Sequence, residues 1–117
     1  MENFKKLKVW LKAHCLVLEV YKITKKFPKN EIFGLISQIR RAVISVAANI
    51  AEGSKRKTPK DRRHFLVMLE TSLEEVKYYF LLSYELGYIT KEKGIELTEK
   101  AREIGKMLTG LSRSIIG

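Results

Sequence analysis

The sequence is poor in the residues that staple, break or loosen a chain. A single cysteine, Cys15, excludes an internal disulfide framework and fits a reducing, cytoplasmic setting. Two prolines and seven glycines in 117 residues exclude collagen-like and low-complexity chains. No apolar run approaches the roughly 20 residues that span a bilayer, because Lys12 and Glu19 interrupt the most hydrophobic N-terminal stretch. The same charges, with no small-residue cleavage site, argue against a signal peptide. Acidic residues are also few, 13 against 23 Lys and Arg, which leaves a formal net charge of +10.

What is present is a hydrophobic fraction of 45%, too high for a disordered basic tail and enough for one domain, expected to span residues 1–117. Residues 1–64 hold 16 basic and 5 acidic side chains, and residues 65–117 hold 7 and 8. The first half is therefore strongly positive and the second nearly neutral. Such asymmetry points to an acidic partner, either nucleic acid or an anionic membrane surface.

Turn signals occur at Phe27-Pro28-Lys29-Asn30, at Glu52-Gly53-Ser54 through Thr58-Pro59, and at Leu86-Gly87-Tyr88-Ile89-Thr90. They leave four segments with apolar residues at helical spacing, roughly 5–26, 31–52, 59–86 and 91–114. Thr58 is a cap candidate with Pro59 at the first helical position and Asp61 in the electropositive first turn. Thr90 is a cap for the fourth segment, and Asn30 for the second, with Gly34 in its first turn. Gly53 and Gly87 are placed as left-handed residues at helix ends.

In the third segment Phe65, Leu69, Ser72, Val76, Tyr79, Ser83 and Leu86 form a seam, and Leu97, Ala101, Ile104, Leu108, Leu111 and Ile115 form another. With short connections, these seams predict an all-α, up-down-up-down antiparallel four-helix bundle. The second segment has two apolar faces. One is Leu35, Ile39, Ala42, Val46 and Ile50; the other is Ile36, Ile44, Ala47 and Ala51. A helix of an isolated bundle needs only one, so the surplus predicts self-association. The first segment likewise has Val9, Leu16, Val20 and Ile23 beside a Leu7, Leu11, Leu18 face, the latter expected to be core and to include His14 as a hydrogen-bonded histidine.

Among functional signals the basic run is strongest: Lys55, Arg56, Lys57, Lys60, Arg62 and Arg63, relieved only by Asp61, cover a loop and the first turn of a helix. Exposed amides and the helix dipole add to the pull on phosphate there. Arg40 and Arg41 either extend the candidate nucleic-acid-binding set or hold an oligomer together. The bland alternative is a solvated loop. Phe65, Tyr79 and Phe80 fall at seam positions, so only Tyr78, Tyr84 and Tyr88 remain as exposed aromatics for base stacking. Gln38, Ser45, Asn49 and Glu52, with Arg41 among them, share one helical face and are read as a structural polar network that fixes register.

Catalytic and metal constellations are thin. A di-iron bundle needs two Glu-x-x-His motifs, and the chain offers one Asp61-x-x-His64 inside a basic run, so no metal and no cofactor are expected. His14 and Cys15 diverge by about 100° on a helix and cannot pair as base and nucleophile. No Gly-rich phosphate loop or nucleophile elbow occurs, and no enzymatic activity is expected.

The stretch Phe27-Pro28, Glu31, Phe33-Gly34-Leu35, Ser37-Gln38-Ile39-Arg40-Arg41-Ala42, Ser45, Asn49-Ile50-Ala51-Glu52-Gly53-Ser54 resembles one family. These are the four-helix-bundle proteins encoded in intervening sequences of bacterial large-subunit ribosomal RNA genes, related to the accessory variability determinant (Avd) of diversity-generating retroelements. The resemblance continues through Leu7-x-Val9-Trp10-x-Lys12-Ala13, Phe65-Leu66, Ser72-Leu73-x-Glu75 and Tyr84-Glu85-Leu86-Gly87-Tyr88. It implies a homo-oligomer, in this family a pentameric barrel, and a positive surface used with RNA or DNA. For the retroelement branch it implies partnership with a reverse transcriptase. Two departures stand out. Val46-Ala47 replaces a commoner Ile-Pro, and Lys55-Arg56-Lys57 is more basic than the family's usual Gly-containing loop. Beside nucleic-acid binding stand two other readings, a protein-interaction scaffold docking a reverse transcriptase and, more weakly, a basic amphipathic membrane-surface protein.

Overall fold

Four helices alternate in direction along the chain in a computed structural model that describes residues 7–116, with side chains as far as Gly110. They are α1 Lys8–Thr24, α2 Leu35–Gly53, α3 Pro59–Glu85 and α4 Lys91–Ile116, with a single 3-10 turn at Lys29–Glu31 between the first two. The all-α bundle predicted from the seams is what forms, and it measures 43 × 24 × 21 Å. Each helix packs on two neighbours in the cycle α1, α2, α3, α4, with no diagonal packing. The α1–α2 and α3–α4 pairs are therefore opposite sides of a square.

Local chemistry sets most boundaries. Thr58 caps α3 by accepting from the Asp61 amide at 3.2 Å, with Pro59 at the first helical position. Thr90 caps α4 the same way through the Lys93 amide at 3.1 Å. Gly87 ends α3 with φ +80°, a conformation that costs other residues about 1 kcal/mol or more.

Other boundaries differ from expectation. Gly53 is the last residue of α2 and has no positive φ; its value lies in close approach, since an added Cβ would meet the Phe65 Cβ at 3.1 Å. Asn30 does not cap α2. It sits in the 3-10 turn, Gly34 is itself the N-cap residue, and the cap acceptor is the Glu31 carboxylate, reached by the Leu35 amide at 3.3 Å. Glu31 also accepts from the Tyr88 hydroxyl at 2.8 Å, tying the α1–α2 connection to the α3–α4 turn. That hydrogen bond raises the Tyr88 phenol pKa.

The core takes Val9, Ala13, Leu16 and Val20 from α1, six residues from α2, Leu69, Leu73, Val76 and Phe80 from α3, and Leu97, Ala101, Ile104 and Leu108 from α4. The expected core face of α1 is thereby corrected. Leu11 and Leu18 are 46% and 58% exposed, and His14 is half-buried and stacked on Trp10 at 4.9 Å rather than hydrogen-bonded in the core. Both stripes have helical spacing, so periodicity could not choose. The winning stripe carries the small Ala13, which joins Ala42, Ala47 and Ala101 in letting four helices close on one another.

On α2 the expected second apolar face is partly absorbed. Ala47 joins the core, Ile36 packs with Phe27 and Leu35 in a small end cluster, and Ile44 stays 41% exposed. Leu86 of the third seam is exposed, because α3 has ended at Glu85. Leu111 and Ile115 of the fourth seam lie outside the described side chains.

Candidate nucleic-acid interface

The α2–α3 loop is held from below by one arginine. Arg56 donates to Glu52 at 2.6 Å, lies 5.0 Å over the Phe65 ring, and offers its backbone carbonyl to the Arg62 Nε at 2.7 Å. Its own Nε is buried and has no acceptor among the described residues. Ser54 closes the helix end by donating to the Ala51 carbonyl at 2.7 Å. The glycine at position 53 is what allows Phe65 to come close enough to act as the floor under Arg56.

With Arg56 and Arg62 turned into the loop's own support, the outward charges are Lys55, Lys57, Lys60 and Arg63, all exposed. Lys57, Lys60 and Arg63 have no ion-pair or hydrogen-bond partner among the described residues. They flank the first turn of α3, where the Thr58 hydroxyl accepts from the Asp61 amide and its carbonyl from the Arg62 amide. Exposed cations beside a helix N-terminus form a surface that attracts phosphate. Asp61, the one acid in the run, keeps its carboxylate in that first turn.

Arg40 and Arg41 do not join this surface. They lie 13 and 12 residues before the end of α2 at Gly53, about 18–20 Å at 1.5 Å per residue, toward the other end of the bundle. Arg40 donates to the buried Thr24 hydroxyl at 3.0 Å and lies 4.3 Å over the Tyr21 ring. Arg41 donates to Gln38 at 3.2 Å and pairs with Glu75 of α3 at 3.0 Å; that hydrogen bond raises its pKa above the ordinary value. What surrounds Arg40 and Arg41 is a second basic region. Lys25 and Lys29, with Phe33, line the same open groove of about 580 Å³. Lys22, Lys25, Lys26 and Lys29 give no run in the sequence, because they are spread through a helix end and a turn.

The polar stripe of α2 divides into three short chains of contacts. Gln38 joins Arg41 and Glu75; Asn49 donates to the Ser45 carbonyl and hydroxyl at 2.9 and 3.0 Å, with Ser45 in turn 3.0 Å from the Ser72 hydroxyl; Glu52 holds Arg56. Two of these cross from α2 to α3 and link that pair of helices. Among the described residues no group of three or more His, Cys, Asp or Glu side chains converges as a metal site. Among the described residues no helix is long and apolar enough to cross a membrane.

Fold and surface together define a basic four-helix bundle whose free positive charge concentrates at the α2–α3 loop and around the α1–α2 connection. The chain belongs to the 23S rRNA-intervening sequence protein family, whose sequence profile matches residues 5–110. A similar solved structure is that of a protein of unknown function from the S23 ribosomal protein family of Bacteroides thetaiotaomicron. It is 24% identical, covers 89% of this chain and 97% of its own, and has a TM-score of 0.81, a likeness of fold. Comparison with curated proteins finds no match.

Proposed function

We propose that this protein is a non-enzymatic, homo-oligomeric bundle that binds nucleic acid, RNA before DNA, through backbone phosphates. The observation that carries the reading is the division of labour in the basic run. Arg56 and Arg62 brace the loop, and Lys55, Lys57, Lys60 and Arg63 stand outward around the first turn of α3. Charge of this kind neutralises phosphates and releases counterions, with little preference for base sequence. Arg40 and Arg41 belong to internal contacts and act as supports for the second basic region, where Lys25, Lys26 and Lys29 carry the exposed charge.

The test is a salt titration of binding to unrelated RNA and DNA. A steep fall of log K with log salt is expected, similar for both; a flat dependence, or no binding at low salt, overturns the reading. Self-association draws support from Leu18, Ile44 and Phe33, which are exposed on α1, α2 and their connection, and from Leu11, exposed beside α4. By resemblance to the family the expected assembly is a ring of five, and the single cysteine fits a reducing, cytoplasmic setting.

The same exposed apolar surface favours a second reading, a scaffold that docks a reverse transcriptase. Recovery of a reverse transcriptase that survives nuclease treatment would favour the scaffold over the nucleic-acid reading.

A further inference from the structure

Phe33 is 96% exposed, the most open large apolar side chain among the described residues. Local chemistry puts it there. An added Cβ at Gly34 would meet the Glu31 Oε1 at 2.8 Å, so the glycine leaves room for the carboxylate that accepts from the Leu35 amide. The small cluster at this end of the bundle is meanwhile filled by Phe27, Leu35 and Ile36, with Tyr88 tilted against Phe27 at 5.1 Å. Phe33 has no place in it and lines the open groove of about 580 Å³ instead.

The charge around that ring is of one sign. No carboxylate lines the groove, whose charged residues are Lys25, Lys29, Arg40 and Arg41. Arg40 is held on Thr24 and the Tyr21 ring, whereas Lys25 and Lys29 are exposed and have no hydrogen-bond or ion-pair partner among the described residues. Glu31, the acid of the connection, has one oxygen on the Leu35 amide and the other on the Tyr88 hydroxyl. Other aromatic rings lack this setting. Phe65 under the α2–α3 loop is covered by Arg56, and Tyr78 and Tyr84 share their groove with Glu74 and Glu99.

An open ring among unpaired lysines fits a partner that carries both negative charge and flat faces. Nucleic acid has both, but a duplex covers its base faces by its own stacking, so only an unpaired base offers one. An anionic lipid surface would need an apolar helix face to insert, and Phe33 sits in a turn.

We propose that this groove is a single-strand site, in which an unpaired base stacks on Phe33 while Lys25 and Lys29 neutralise neighbouring phosphates. The inference rests on the nucleic-acid reading above and adds strandedness, which charge alone does not supply. Binding of a short oligouridine, about eight nucleotides long, is compared with that of a blunt RNA duplex across a salt series, with circular dichroism to verify helix content and light scattering for mass. Phe33→Leu should weaken the oligouridine on the order of tenfold, leave the duplex unchanged, and keep the salt slope because no charge is removed. Phe33→Trp should keep the parent affinity, and its added fluorescence beyond that of Trp10 should be quenched by oligouridine and not by duplex. Lys25→Ala with Lys29→Ala should weaken both RNAs and flatten the slope by about 1–2.

If the parent binds neither RNA, the nucleic-acid reading falls and the inference with it. If the parent binds but Phe33→Leu binds both RNAs as the parent does, or weakens both alike, the nucleic-acid reading stands and the stacking site is overturned. A changed mass for Phe33→Leu makes the ring an assembly contact and overturns it too, as does an unchanged salt slope for the double lysine variant. Anionic phospholipid vesicles that shift the introduced indole to the blue, while oligouridine leaves it unchanged, overturn it in favour of a lipid surface. Should Phe33→Leu lose helical signal, quenching in Phe33→Trp decides between the same outcomes.

Discussion

Arginines and lysines of the same basic set have different employment in this bundle. Arg40, Arg41, Arg56 and Arg62 each hold a specified oxygen, and two of them also cover an aromatic ring. Lys57 and Lys60 make no hydrogen bond, ion pair or ring contact among the described residues, and of the arginines in this set Arg63 alone resembles them in that. The difference follows from the side chains. A planar guanidinium can stack on a ring and donate in a fixed direction at the same time, whereas an ammonium is a compact, strongly hydrated charge on a flexible stem. Counting charges therefore overstates the binding surface and understates what the arginines contribute to the fold.

The largest effect that would sharpen this contrast is on binding. Replacing Lys57, Lys60 and Arg63 together with Ala should weaken RNA affinity on the order of a hundredfold at low salt and flatten the log K against log salt slope by about 2–3. Thermal stability should stay unchanged. A triple variant that binds as well as the parent would break the comparison.

Thr24→Val comes next. It removes the acceptor from the buried end of Arg40 and should cost about 1–3 kcal/mol in denaturant unfolding, with nucleic-acid binding retained. Arg56→Ala should cost about 1 kcal/mol, summing an exposed ion pair and a ring contact, and should reduce binding as well by loosening the loop. A loss of binding with no loss of stability would place Arg56 among the phosphate contacts instead.

The smallest effect concerns acid. Glu19 is partly buried, which raises its pKa, but hydrogen bonds from Lys100 at 2.6 Å and from Lys93 at 3.0 Å outweigh this and lower it below the ordinary 4.5. A depressed carboxylate stabilises the fold above its unfolded pKa and loses that contribution as pH falls through the folded value. Unfolding followed from pH 5 downward, a range set by the ordinary carboxylate pKa of about 4.5, should therefore show a shallower decline for Glu19→Gln than for the parent.

Much of the fold was legible because its signals are local. Thr58, Pro59 and Asp61 mark the start of α3, Gly87 marks its end, and the seam of α4 reads directly from Leu97 to Leu108. Where the sequence offered two equivalent readings, it misled. Both stripes of α1 repeat at helical spacing, and the richer leucine stripe lost to one with a smaller cross-section. Asn30 was a fair cap candidate, but Glu31, a residue later, could reach the Leu35 amide and Tyr88 together. The basic run was visible as a run; that two of its three arginines face inward could not be seen, because Phe65 meets Arg56 only once α2 and α3 are side by side.

Sequence by itself therefore determined the number of helices, most of their ends and the sign and position of the charge, since each depends on a few neighbouring residues. Tertiary structure alone decided which face of α1 is buried and which cations remain free. Those outcomes depend on how closely four helices can approach, and that distance is set by side chains far apart in the chain.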